Sequence, residues 1–205
     1  MPIRRFAITC ALLAALVGWN AHPAGAQSAD PGAATFIQSL GEEAVTIFAK
    51  AKVNHQEAVA RFKTVLQRGF DVPYIGRWTL GRFWNQATPD QQREYLELFE
   101  RLIIQTYSSR FQEYSGESLR INGTRSEGER DTLVQSTIMR PTGPPMNVEW
   151  RVRKTPGGFR IIDVGVEGVS MSLTQRQEFA SVIQQNGGRI EGLIQALRQK
   201  VAQAG

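Results

Sequence analysis

The chain has 205 residues, one cysteine, two histidines and a formal net charge of +5. A single cysteine excludes an internal disulfide framework, and two histidines leave little for a metal cluster or a histidine-based triad. So small a positive charge over so long a chain is no signature of nucleic-acid binding.

The beginning reads as an address. Arg4 and Arg5 precede an apolar run from Phe6 to Trp19, too short to span a bilayer comfortably. Ala24-Gly25-Ala26 then offers small residues at a cleavage position. The pattern predicts a signal peptide over residues 1–26, removed by a cut after Ala26, and an exported mature chain. Cys10 and His22 would leave with it, and Ala7-Ile8-Thr9 ahead of Cys10 lacks the leucine of a lipoprotein site. Removing 26 of 205 residues leaves 179, with 22 basic and 19 acidic side chains and no thiol. A domain of that size buries roughly 70% of its unfolded surface without disulfides. Residues 27–205 are expected to form one α+β domain: 27–115 mostly helical, 118–166 an antiparallel sheet, 168–202 helical again.

Phe36, Ile37, Leu40, Ala44, Ile47 and Phe48 recur at helical spacing, and Val59, Phe62, Val65 and Leu66 mark a second helix over about Gln56 to Arg68, ended by Gly69. Asp71 can cap a short helix with Pro73 in its first turn. That aromatic segment, Phe70 to Trp84, reads as core or as one wall of a ligand pocket. Thr88-Pro89-Asp90-Gln91 is a capping box with proline in the first turn. The helix it opens is expected to run to about Tyr114. Tyr95, Leu98, Phe99, Leu102, Ile103, Thr106, Tyr107 and Phe111 form its apolar stripe, and Glu94, Glu97, Arg101 and Gln105 face away.

After Ser115-Gly116 the period becomes two. Leu119–Arg125, Leu133–Arg140, Met146–Lys154 and Phe159–Val166 are predicted strands of an antiparallel meander, joined by short Gly- and Pro-bearing turns. Val148, Trp150 and Val152 point to one face; Asn147, Glu149, Arg151 and Arg153 to the other. Thr174 and Gln177 suggest a capping box that starts the next helix, which leaves Val169, Met171 and Leu173 in an apolar loop. Such a loop covers the core or rims a cavity. Two final helices are split at Asn186-Gly187-Gly188.

Chemistry-bearing residues are sparse. His55 stands alone beside Asn54, no Gly-x-Ser-x-Gly precedes a helix, and there is neither a Walker loop nor a dinucleotide fingerprint. Arg120, Arg151, Arg153, Lys154 and Arg160 could form a basic strip on the wet sheet face, a plain soluble surface or a docking strip. Asp163 and Arg176 are candidates to pair at the strand-to-helix junction.

Leu80-Gly81-Arg82-Phe83-Trp84, Thr88-Pro89-Asp90-Gln91, Phe99, Tyr107, Asp163-Val164, Glu167-Gly168-Val169-Ser170-Met171, Arg176 and Phe179 occur in an order that resembles the MlaC (toluene-tolerance) family of periplasmic phospholipid-binding proteins. The likeness covers roughly Phe36 to Lys200. It implies a non-enzymatic shuttle, with a bound phospholipid as cargo and no cofactor. The shuttle would pass between an inner-membrane ABC lipid transporter, with its periplasmic lipid-binding subunit, and an outer-membrane lipoprotein complex. It also implies helices packed on a curved antiparallel sheet around a lipid cavity, and a shuttle has reason to be a monomer. A relative encoded with hopanoid biosynthesis makes a hopanoid or other apolar ligand the alternative cargo.

The expected lipid site places the acyl chains between Val148, Trp150 and Val152 on the sheet and Leu98, Leu102 and Tyr107 on the long helix. Trp84, Ile162, Val164, Val169 and Met171 complete its lining. Replacing Val152 with Trp or Arg is then expected to abolish bound lipid and leave the fold intact. The rival from another class is a small-substrate enzyme on a similar cone-shaped fold, which would need Asp163 or Glu167 turned into a polar pocket.

Overall fold

The structure is a computed structural model that describes residues 29–203 apart from residue 52. The expected signal peptide and its cut after Ala26 lie outside these residues. Six α-helices and one five-stranded antiparallel sheet are described: α1 (Pro31–Ala51), α2 (His55–Gly69), α3 (Val72–Leu80), α4 (Pro89–Ser108), β1 (Ser118–Glu127), β2 (Asp131–Met139), β3 (Met146–Thr155), β4 (Gly158–Val166), β5 (Val169–Ser170), α5 (Met171–Gln185) and α6 (Ile190–Gln203).

The helices start where local chemistry supplies caps. Asn54 accepts the Glu57 N–H ahead of α2, and Asp71 accepts the Tyr74 N–H ahead of α3. Thr88 and Gln91 close the expected capping box of α4. α4 is shorter than its periodicity suggests: it ends at Ser108, and a 3-10 turn carries Phe111 back to the core. Its polar side is not free. Glu94 pairs with Arg198, and Gln105 donates to the Val201 carbonyl at 2.8 Å, so α6 covers a face that composition alone assigns to solvent. Polar residues here serve a helix–helix contact, a use that hydrophobic periodicity does not reveal.

The sheet is a meander in the order β1-β2-β3-β4-β5. Trp150 lies opposite Val134 and Val164, and Val148 opposite Ser136 and Val166. The expected parity of β3 holds. Two bulges interrupt the ladders, at Asn122 in β1 and at Ile162 in β4. The second sets Val152 opposite Ile161 and throws Ile162 to the other parity, where it is still buried. α1 lies against β1 and β2, and α2 against α1 and β4. At Gly41 a Cβ would come within 2.5 Å of the Leu119 side chain, so glycine lets α1 approach β1 closely.

The junction after β4 differs from expectation. Val169–Ser170 form a fifth strand paired with Gly165–Val166, and α5 begins at Met171, not near Thr174. Ser170 is the cap: its hydroxyl accepts the Leu173 N–H at 3.1 Å, while Thr174 merely donates back to the Ser170 carbonyl. The predicted apolar loop is thus a two-residue strand plus a first helical turn.

Apolar side chains gather in two clusters. One lies among α3, α4, α5 and α6 and includes Tyr95, Leu98, Phe99, Leu102, Phe179, Ile183 and Leu193. The other lies between α1, α2 and the inner sheet face and includes Ile37, Leu40, Phe111, Val134, Val152 and Ile161. Val59 and Phe70 pack against both. The helical cluster hides one polar knot. Tyr95 donates to the Gly76 carbonyl at 3.0 Å beside the Thr79 hydroxyl at 2.9 Å, and burial pushes its phenol far above the ordinary range.

Candidate functional site

The two clusters divide the residues expected to line one site. Trp150, Val152 and Val164 stand on the inner sheet face with α1 and α2 over them. The Trp150 indole is fixed by its Nε1–H, which donates to Ser136 Oγ at 2.8 Å; that hydroxyl in turn donates to the Val148 carbonyl at 3.0 Å. Leu98, Leu102 and Trp84 belong instead to the helical cluster. α4 packs on α2, α3 and α6, so α2 stands between it and the sheet. Tyr107, at the end of α4, is 47% exposed, with its ring 6.5 Å from that of Phe62. Val148 is buried beside Ser136, and Ile162 is buried on the parity opposite to Val152. Met171 is half-buried, and Val169 is 54% exposed.

What surrounds Val152 is more aromatic than the strands alone suggest. Phe36, Phe48, Phe62, Phe70 and Phe159 are each half-buried against the sheet-side cluster. Phe111 is fully buried among them, with its ring 4.9 Å from Phe48 and 5.4 Å from Phe62. Phe36 and Phe159 lie 5.8 Å apart at the β4 side. The layer between α1–α2 and the sheet is therefore rimmed by large apolar side chains that keep part of their surface in water. The phenylalanines of α1 and α2 were readable only as core stripes. Their common rim depends on how the two helices cross the sheet.

The polar groups near the site are engaged elsewhere. Asp163 accepts the Ser170 hydroxyl at 2.6 Å and the N–H groups of Ser172 at 3.1 Å and Val164 at 2.9 Å. It thus ties the start of α5 to β4, without the expected pairing to Arg176. Arg176 lies over Trp78, its guanidinium carbon 4.9 Å from the ring centre. Glu167 sits at the turn tip with φ +49° and accepts the Asn147 N–H at 2.6 Å. Nearby is a polar crevice of about 350 Å³ lined by Asn122, Gln135, Ser136, Asn147, Val148, Glu149, Glu167 and Gly168. The basic strip is largely neutralised: Arg151 meets Glu127, Arg153 grips both oxygens of Asp131, and Lys154 meets Asp30. Among the described residues no group of three His, Cys, Asp or Glu could hold a metal ion. No described helix is long and apolar enough to cross a membrane.

A family profile described as "MlaC protein" matches residues 38–199. The toluene tolerance protein ttg2D of Pseudomonas putida is 23% identical over 123 residues, 60% of this chain and 57% of that protein. The intermembrane phospholipid transport system binding protein MlaC of Haemophilus influenzae is 22% identical over 137 residues, 65% of this chain and 63% of that protein. The chain thus spans about three fifths of the length of these curated relatives. Among solved structures, a phospholipid-binding protein from Ralstonia solanacearum, in complex with a phospholipid, is 28% identical. It superposes with a TM-score of 0.75 over 84% of this chain and 98% of that one.

Proposed function

The chain belongs to the MlaC family, and from that premise we propose that it is a phospholipid carrier that holds acyl chains in its interior. The observation that carries the reading is the likeness to the Ralstonia phospholipid complex, which spans 98% of that protein. The physics supports the same role. A diacyl lipid has about 28 tail methylenes at ~0.8 kcal/mol each, so on the order of 20 kcal/mol opposes its passage through water. A carrier must cover the tails and leave the head wet. It needs no nucleophile, and both carboxylates that an enzyme would require are committed to backbone and hydroxyl donors.

The tails fit best beside the sheet-side cluster, between Trp150 and Val164 on the sheet and Phe62 on α2 with Phe70 just after its end. There, half-buried apolar side chains bring the interior to the surface, and α2 touches both clusters. The chain would load and unload at partners: an inner-membrane ABC lipid transporter with its periplasmic subunit, and an outer-membrane lipoprotein complex. Directional transfer would draw its energy from the transporter.

Native mass spectrometry of protein purified from cells tests the reading. It should show an added mass of lipid size, identified by solvent extraction as phospholipid, and a Val164→Trp variant should lose most of it. Wild-type protein without any lipid adduct would end the reading. A cyclic triterpenoid in the extract would change the cargo. Full retention of lipid by the variant would move the tails away from this seam.

A further inference from the structure

A second surface lies outside the lipid interior. Residues 72–89 contain two arginines and no acidic residue, and residues 168–177 one arginine and no acidic residue. The fold brings these segments together, because α5 packs on α3. Arg82 is exposed next to Gly81, and Arg77 is exposed one helical turn before it. Arg176 of α5 reaches the same corner: a Cβ on Gly81 would meet its guanidinium at 3.0 Å. Among the described residues none of the three makes an ion pair, in contrast to Arg151, Arg153 and Lys154 of the sheet.

Each of these guanidiniums lies over an aromatic ring: Arg77 over Trp84 at 5.8 Å, Arg82 over Phe83 at 5.0 Å, Arg176 over Trp78 at 4.9 Å. Stacking restricts the plane of each cation and leaves its N–H fork for an outside acceptor. One turn before Arg176 on α5 is Leu173, 46% exposed, and beyond it Val169, 54% exposed. Positions three apart on a helix are neighbours, so Leu173 adjoins the cationic corner, with Val169 on the short strand that leads into α5.

We propose that this corner of α3, α5 and the turn after α3 is a docking surface for an anionic lipid bilayer. Charge complementarity selects phosphate-bearing lipid heads, for which the arginine forks are matched. The adjoining Leu173 and Val169, with half-buried Trp78 beneath Arg176, favour a bilayer over an acidic protein: such side chains suit the zone between lipid heads and tails. Three cations and two aliphatic groups give weak, salt-sensitive adhesion, which a protein that must leave the surface again requires. The surface does not depend on what the interior carries.

Protein purified as cells process it, co-sedimented with vesicles of phosphatidylcholine alone or with one third phosphatidylglycerol, tests the assignment. Binding should require the anionic lipid and fall steeply between 20 and 200 mM salt, over roughly two Debye-length regimes. Each arginine at such a surface is worth about 5-fold in partitioning, so Arg77→Glu/Arg82→Glu should lower binding by at least about 20-fold. Its thermal melt and co-purifying lipid should stay unchanged, since both side chains are exposed. Leu173→Gln should lower binding a few-fold at constant charge. Equal binding to neutral vesicles, or undiminished binding of the double variant, overturns the proposal. So does the absence of binding to anionic vesicles at low salt, which would assign the corner to an acidic protein. Lipid co-purification is read separately, so failure here leaves the carrier reading intact, and the reverse.

Discussion

Asp163 shows how one side chain can organise a junction. Its carboxylate accepts the Ser172 N–H and the Ser170 hydroxyl at the start of α5, where a negative charge also favours the helix dipole, and the Val164 N–H of β4. Asp163→Ala should cost about 1–3 kcal/mol, because three donors lose their acceptor, and urea denaturation reads the loss as a lower midpoint at constant slope. Ser170→Ala should cost about 1 kcal/mol, the worth of an ordinary cap. Gly81 is a second such position. With φ +58° and the Arg176 guanidinium 3.0 Å from where a Cβ would sit, Gly81→Ala should cost about 1–3 kcal/mol in backbone strain and shift Arg176 off Trp78. Loss of indole quenching at Trp78, read by fluorescence, would report that shift; an unchanged melt would show the glycine to be dispensable. Sequence alone exposed Thr174 and Gln177 as a capping pair and missed Ser170. The signal that selects Ser170 is Asp163, seven residues back and across a turn, which local spacing cannot weigh.

Among the elements, those with strong internal signals were the legible ones. The four long strands and the start of α4 lie within a few residues of their sequence positions, since alternation and a capping box act within a short window. The two-residue β5 has no periodicity to read. α4 was legible in its stripe but not in its neighbours: Glu94 and Gln105 face α6. The Glu94–Arg198 tie has a pH consequence. Hydrogen bonding to the Arg198 guanidinium holds the Glu94 carboxyl below the ordinary value of 4.5. A carboxylate with a lowered folded value stabilises the fold above its unfolded value and loses that contribution as pH falls through the folded one. Stability should therefore decline below about pH 4.5, and Glu94→Gln should flatten that decline, as followed by denaturant midpoints across the acid range. An equally steep decline in the variant would assign the effect to other carboxylates.

For the whole molecule, the apolar interior was legible in the sequence but its layout was not. An excess of apolar positions over what one sheet face can cover is visible in the sequence. That α1 and α2, rather than α4, lie over Val152 is a matter of three-dimensional order. The structure also changes the useful experiment. Val152 is fully buried, so Val152→Arg would unfold the region and Val152→Trp would strain it by about 1–3 kcal/mol; neither isolates lipid loss from fold loss. Half-buried Val164 does. If cargo fills the interior, stripping it with organic solvent should lower the melting temperature. Saturation at a hundred times Kd contributes about 2.7 kcal/mol, or roughly 5–10 °C for a domain of this size. Differential scanning fluorimetry of stripped and reloaded protein reads it, and identical melts would mean that cargo and fold are uncoupled.

The meander also orders events in time. Strands β1 to β4 each pair with the next along the chain, so the sheet can zip up hairpin by hairpin from contacts short in sequence. Helix α1 cannot reach the sheet early: the strands it rests on begin at Ser118 and Asp131, long after its own end at Ala51. Helix α1 can thus pair early with α2, its neighbour in sequence, but the side of its greasy stripe that faces the sheet stays uncovered until β2 is complete.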